Sequence, residues 1–312
     1  MIIGVPKGLL YYKYGVFVEK FFNELGCKVV TSPRTNKEIL NLGTSCSVDE
    51  ACVPIKVFHG HVAYLKDKCD MIVIPRIMTL SDREYICPKF CGLPEMIKNS
   101  IQGIPKITEE PIYAKDMASL YKSMLKIGHK VNKNRSMIKS AFLKALDLQR
   151  DYKTGFEDVS YEFKLALLGH PYNVQDEFLN MNIKNKLNKL GFGVVTEEFV
   201  PDEEIKKYAK ELLKKPFWTF FRRSYGSSRY FVENNKINGI VYISSFNCGI
   251  DSVVIELIKD KIGDFPFLVL KIDEQTGQGG FDTRVEAFTD MIERRIEYEN
   301  NFSSLRKHIH CS

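Results

Sequence analysis

The chain has no long apolar run. Its longest stretches, such as MIVIP at 71–75 and IVYIS at 240–244, fall far short of the roughly 20 residues that a membrane-spanning helix needs. No membrane span is expected. Met1 opens directly into IIGVP, with neither a basic leader nor a small-residue cleavage site, so no secretory signal is read and a cytoplasmic location is expected. The glycine-rich phosphate loop that ends in Gly-Lys-Ser/Thr is missing, which assigns any ATP hydrolysis to another protein. There is no close C-x-x-C pair, no zinc-finger spacing and no RNP-type aromatic motif, so neither a zinc-finger site nor a nucleic-acid interface has support. With 312 residues, 44% of them apolar, the chain has the length for two compact domains and no need of a disordered or fibrous reading.

The net charge of +6 is concentrated in one segment. Residues 115–153 hold ten Lys/Arg against three Asp/Glu, an excess larger than that of the whole chain. Leu120, Met124, Ile127 and Val131 recur there at helical spacing, so the segment reads as a helix with a solvated basic face. A basic rim for a phosphate-bearing ligand or an acidic partner is the alternative.

Two stretches of the chain are alike. IIGVP at 2–6 leads into a helix with Tyr14, Phe17, Val18, Phe21 and Leu25 on one face, which should stop at Gly26 before the strand CKVV. LALLGHP at 165–171 leads into a helix with Phe178, Met181 and Leu190, then Gly191 and FGVV. Proline, glycine and the valine pair recur at one offset of 165. Strands alternating with helices predict an α/β fold with two parallel-sheet, Rossmann-like (flavodoxin-like) domains related by an internal repeat. The expected boundaries are 1–110 for the N-terminal domain, 111–160 for the basic helical connector and 161–312 for the C-terminal domain with its C-terminal helix. Further strands are read at MIVIP, GIVYIS and FPFLVLKI. In open parallel sheets ligands sit at the carboxyl ends of the strands.

Eight cysteines in a chain expected to meet a reducing compartment point to metal or redox chemistry more than to disulfides. Cys27 and Cys69 flank strands and suit a sheet core, and Cys311 sits by the C-terminus without an evident role. Cys52 lies in SVDEACVPIK, where Ser47 and Glu50 have capping-box spacing and Pro54 suits the first position of the next helix. A thiol there faces helix N-terminal dipoles, which favour the metal-binding thiolate. Cys87 follows the MIVIPR strand and Cys248 follows GIVYISSF in the corresponding part of the second half. Cysteines from both halves thus gather at strand ends, whether as metal ligands or as buried small residues. DEQTGQGGFDTR reads as a glycine-rich turn into a helix from about Phe281, able to meet a phosphate or a cluster edge, or else a plain turn. His59 and His61 are two apart on a helix and cannot face the same way. One is expected near the metal site, the other packed or solvated.

IGVPKGLLYY, DEACVPIKVFHGHVAYL, IPRI, YICPKF, NCGIDS and DEQTGQGGFDTRVEAF together resemble the acyl-CoA dehydratase activase-related family, a relative of 2-hydroxyacyl-CoA dehydratase and benzoyl-CoA reductase subunits. The resemblance implies a 4Fe-4S cluster held by Cys52, Cys87 and Cys248 between the two domains, with Cys46 and Cys91 as extra or alternative ligands and a double-cubane cluster as a variant. It further implies an ATP-hydrolysing activase as electron donor, a related cluster-bearing subunit or homo-oligomer as partner, and acyl-CoA or another small substrate. The function expected is that of the iron–sulfur subunit of an activase-driven reductase or dehydratase. The alternative is a non-catalytic electron-transfer or cluster-carrying module of a larger complex. Thiolate-bound clusters reach low potentials, and an open iron is a Lewis acid or electron donor.

Overall fold

A computed structural model describes residues 1–309, with side chains as far as Tyr298, so Cys311 lies outside the described residues. The first half runs β1 (Ile2–Val5), α1 (Tyr11–Glu24), β2 (Lys28–Thr31), α2 (Lys37–Cys46), α3 (Val53–Leu65), β3 (Met71–Ile72), β4 (Ile77–Thr79), α4 (Pro88–Cys91), α5 (Leu93–Ser100), β5 (Lys106–Ile107) and β6 (Ile112–Tyr113). Then come α6 (Met117–Gly128) and α7 (Arg135–Asp151). The second half runs β7 (Phe163–Gly169), α8 (Pro171–Gln175), α9 (Ile183–Lys189), β8 (Phe192–Val195), α10 (Asp202–Ala209), α11 (Thr219–Glu233), β9 (Gly239–Ser245), α12 (Gly249–Ile262), β10 (Phe267–Ile272) and α13 (Gln278–Ile309).

The chain is an α/β protein with parallel sheets. One four-stranded sheet has the order β2-β1-β3-β5, the other β8-β7-β9-β10, and β4 pairs with β6 in a small third sheet. Counting only each sheet's own strands, both four-stranded sheets run 2-1-3-4. Strand β9 is buried along its whole length, as a central parallel strand covered on both faces must be. Its side chains divide at period two: Val241 and Ile243 join the cluster under α13, while Ile240 and Tyr242 join the cluster under α11 and α12. Helix α13 answers with Phe281, Val285, Phe288 and Ile292 on one stripe.

Helix α1 ends near the expected point, with Gly26 at φ +79°, a conformation glycine adopts without strain. The helix expected over 172–190 is two short helices. Asn180 Nδ2 donates to the carbonyls of Asn173 and Val174 at the end of α8, and Asp176 Oδ1 accepts from the amides of Phe178 and Leu179. These polar side chains satisfy the backbone locally and break the helix. The basic segment likewise folds as two helices, and α6 and α7 pack in one core cluster with Phe17 and Phe21 of α1.

Helix α3 holds the two halves together. Eleven of its thirteen residues are buried. Val53 and Val57 pack into the core cluster of the second half, whereas Ile55, Phe58, Val62 and Leu65 pack into the first. A helix apolar on all sides has to be covered on all sides. Each such side chain is worth about 1.5–3 kcal/mol when fully buried. Its charged exception, Lys56, is 2% exposed and pairs with Glu274 at 2.6 Å, tying α3 to the loop after β10.

His59 and His61 both lie inside α3's buried surface. His59 Nδ1 bonds the Ile55 carbonyl at 2.8 Å, and His61 Nε2 lies 3.1 Å from Thr35 Oγ1, which donates to Asp176 across the junction. Burial, and next the positive Lys7, push the His61 pKa down to about 3. The unfolded imidazole takes up a proton below about pH 6.5 and the folded one does not. His61 therefore contributes a loss of stability as pH falls from about 6.5 toward 3, at up to about 1.4 kcal/mol per pH unit. Asp176 opposes it, since burial raises that carboxyl and its protonation favours the folded state. Urea midpoints at pH 7.5 and 5 for wild type and His61→Gln isolate the histidine: the variant should lose distinctly less stability on acidification, and equal losses would refute the assignment.

Candidate metal centre

Cys52, Cys87 and Cys248 line one pocket of about 380 Å³, together with His170, Tyr172 and Trp218. Each cysteine is the residue just before a helix: Cys52 before α3, Cys87 before α4 and Cys248 before α12. Pro88 opens α4, Pro54 takes the second position of α3, and Gly249 opens α12. Proline costs nothing there, because the first amides of a helix have no intrahelical partner. The capping box read over Ser47 and Glu50 does not form, since Ser47 caps the C-terminus of α2 and its hydroxyl donates to the Gly43 carbonyl.

The second half delivers its cysteine over a short path. Strand β9 ends at Ser245, and Asn247 turns the chain at φ +62°, a left-handed conformation that asparagine tolerates. The first-half loop that carries Cys87 is tied to the second half at Tyr85. Its amide donates to the Phe217 carbonyl at 2.9 Å, its carbonyl accepts from Thr219 at 2.8 Å, and its ring stacks on Phe217 at 4.5 Å. The pocket wall is thus built from both halves.

Burial, and then neighbouring charge from Asp251, push the Cys248 thiol up to about 12. Burial also raises Cys87, although the Lys89 amide favours its thiolate. Lys89 Nζ stands 3.6 Å from Cys52 Sγ. Burial thus favours the protonated thiol at Cys87 and Cys248. A bound cation or cationic iron–sulfur core would displace those protons, as metal binding by thiols generally does. Tyr172 lies buried against the sulfurs, and burial followed by the charge of Cys52, Cys87 and Cys248 raises its phenol well above the ordinary value.

Behind Cys248 lies a second group of donors. Ligand atoms of His170, Cys248 and Asp251 lie within 4.8 Å of one another, an arrangement able to hold a metal ion. His170 Nδ1 is 3.2 Å from Asp251 Oδ1, which also accepts from the Tyr242 hydroxyl at 2.8 Å. Burial alone would raise the Asp251 carboxyl, but His170 beside it and the Tyr242 and Ser244 hydroxyls hold it below its usual range. Among the described residues, the sulfurs of Cys52, Cys87 and Cys248 do not form such a single-ion group. They share a wall without converging on one point.

The other candidates stand apart. Cys46 is the last residue of α2, with Ser45 Oγ at 3.7 Å, and Cys91 is the last residue of α4; neither lines the pocket. Cys27 belongs to the core beside α1, and Cys69 donates to the Leu65 carbonyl at 3.3 Å. Neither His59 nor His61 lines the pocket, because only Cys52, the residue before α3, reaches it and the helix itself runs away from it. The glycine-rich loop joins α3 through Glu274, and its helix begins at Gln278, three residues earlier than the sequence indicates. His170, Tyr172, Trp218 and Asp251 were not legible as site residues. The one available signal was the His-Pro step directly after a strand.

No curated protein matches the chain. Among solved structures, a mutant Mn-bound periplasmic metal binding protein from Candidatus Liberibacter asiaticus is similar over 94% of this chain and 99% of its own, at 11% identity and a TM-score of 0.28. So loose a likeness carries no argument. The model of the family described as CoA enzyme activase uncharacterised domain matches residues 2–200, a span that includes Cys52 and Cys87 and stops short of Cys248. Since that match takes in more than half of the chain, the protein belongs to this CoA enzyme activase-related family.

Proposed function

We propose that the protein carries an iron–sulfur cluster, most simply 4Fe-4S, on Cys52, Cys87 and Cys248, and serves as the cluster subunit of an activase-driven reductase or dehydratase. The observation that carries the reading is the meeting of these three thiols in one pocket. Their donor set fits the group: thiolates are the usual cluster ligands, and sulfurs bound to separate irons need not converge as ligands of one ion do. The resemblance to 2-hydroxyacyl-CoA dehydratase and benzoyl-CoA reductase subunits adds acyl-CoA or another small substrate, an ATP-hydrolysing activase and a cytoplasmic, oxygen-poor setting. A cluster supplies electrons and an open iron as Lewis acid. The chain's own part is to hold it with three thiols, wall it with Tyr172 and Trp218, and fix the Cys248 turn through Asp251.

In this reading the shared 2-1-3-4 order reflects an internal repeat of Rossmann-like units, 1–110 and 161–312, joined through 111–160. A related subunit or second copy would shield the pocket, which is open to solvent on one side. A second reading rests on the His170, Cys248 and Asp251 group: a single ion, zinc by its mixed donors, bound there in place of a cluster.

Anaerobic purification from iron-replete cells decides between them. The expected protein is brown, contains iron and acid-labile sulfide, and bleaches in air. Stoichiometric zinc without iron or sulfide would replace the cluster reading by the single-ion one.

A further inference from the structure

The first half contains a second chamber, separate from the cysteine pocket. It measures about 340 Å³ and lies at the carboxyl ends of β1 and β3, bounded by Val5, Val73, Phe58, Met124 and Leu146. All its lining side chains are apolar except Tyr11, Tyr14 and Gln149. Protein interiors pack with few voids larger than a water molecule. This pocket has the space of roughly eleven waters at about 30 Å³ each, and its walls offer few hydrogen-bond partners. Its size is instead that of a ligand site. Helices α6 and α7 contribute Leu120, Met124, Leu146 and Gln149, so the basic connector forms one of its walls.

At Tyr14 and Leu80 the chamber adjoins a charged cleft of about 590 Å³, whose lining includes both residues. Lys13, Lys153, Arg222 and Arg223 line the cleft against two carboxylates, Glu198 and Asp202. Lys13 pairs with Glu197 and Glu198 at 3.4 and 3.2 Å, Arg223 with Glu197 at 2.8 Å, and Arg222 with Glu84 and Asp202 at 2.7 and 3.1 Å. Lys153 is exposed and forms no ion pair among the described residues. Thr219 lines the cleft at 5% exposure, and its hydroxyl has no hydrogen-bond partner. Gln149 Oε1, at the junction, is buried and unpartnered as well, while Nε2 donates to the Lys13 carbonyl. Buried polar groups left unpaired at the edge of an apolar pocket mark the place where a polar head would be received.

We propose that this chamber binds the hydrocarbon chain of an anionic amphiphile, a fatty acid or an acyl thioester, with its head in the Lys153 cleft. The apolar walls take the chain, and Lys153 and the Thr219 hydroxyl take the head. The first turn of α11 separates the two sites, since Thr219 and Phe220 line the cleft while Trp218 and Phe221 line the cysteine pocket. The proposal does not depend on a cluster being bound.

Calorimetric titration of the full chain with butyrate, hexanoate, octanoate, decanoate, decanol and decanoyl-CoA tests it. Affinity should rise roughly fourfold per added methylene, the equivalent of about 0.8 kcal/mol for each one buried, until the chamber is full. Decanoate should bind at least tenfold more tightly than decanol. Leu146→Trp should weaken decanoate tenfold or more, and the exposed Lys153→Glu should weaken decanoate while sparing decanol. Competition by decanoyl-CoA at equal affinity identifies the thioester as a source of the chain, and its failure to compete leaves the free acid. Absence of saturable binding, indifference to chain length, or decanol binding as tightly as decanoate would each overturn the proposal. The chain-length series on wild type decides the matter even if Leu146→Trp does not fold.

Discussion

Serine at position 248 should cost the protein most of its iron and sulfide while leaving it folded. Cys248 is the one proposed ligand that comes from the second half, and it stands just before α12 in the same pocket lining as Cys52 and Cys87. A hydroxyl is a harder and far less acidic ligand than a thiol, so the substitution removes a ligand and adds no bulk. Cys52→Ser and Cys87→Ser should behave alike. Cys27→Ser and Cys69→Ser should keep full iron, because both thiols are packed away from the pocket, with only modest losses in stability. Cys46 and Cys91 lie outside the pocket wall, and their variants should keep the cluster too. The readout is iron and sulfide per chain after anaerobic reconstitution. A full cluster in Cys248→Ser together with its loss in Cys46→Ser would move the site into the first half alone.

Gly60→Ala should unfold the junction on which the pocket depends. Helices α2 and α3 cross in backbone contact: a Cβ on Gly60 would stand 1.9 Å from the Ile39 carbonyl oxygen, and one on Gly43 would stand 1.8 Å from that of Lys56. Neither neighbour is a movable side-chain tip, so the helices would have to part. Overpacking of this kind costs about 3 kcal/mol or more, well above the roughly 1 kcal/mol that alanine gains over glycine in a helix. Gly279→Ala is the control, since a Cβ there meets nothing within 4 Å, and it should be neutral or slightly stabilising. Denaturant midpoints of the three variants provide the comparison. An unchanged midpoint in both Gly43→Ala and Gly60→Ala would show that the helix crossing is looser than described. Because α3 begins at the residue after Cys52, the same substitutions should also lower iron content.

The alternation of strand and helix was legible because it is local. Strand β9 spells GIVYISS, a run too apolar for a half-exposed strand, and GFGVVT announces β8 just after a glycine at φ +85°. Glycine and proline punctuation marks such ends through backbone conformation alone, which needs no knowledge of the rest of the chain. Cys248, directly after a strand, could be picked out for the same reason. The broken α8 and α9 pair escaped notice because Asp176 and Asn180 bond backbone groups through side chains, and helical periodicity carries no trace of that.

What the sequence determined by itself was a parallel α/β chain with Cys52 at a helix start and Cys87 and Cys248 following strands, since period, propensity and caps act over a few residues. The tertiary structure decided which thiols meet. Cys91 is four residues from Cys87 and lies off the pocket, while Cys248, about 160 residues away, lies on it. It likewise decided that both histidines of α3 face the interior, that Asp251 and His170 stand behind Cys248, and that the basic connector walls an apolar chamber. These outcomes depend on how two sheets and the helix between them pack. Packing is set by side-chain volumes from distant parts of the chain meeting at once, and no local pattern records it.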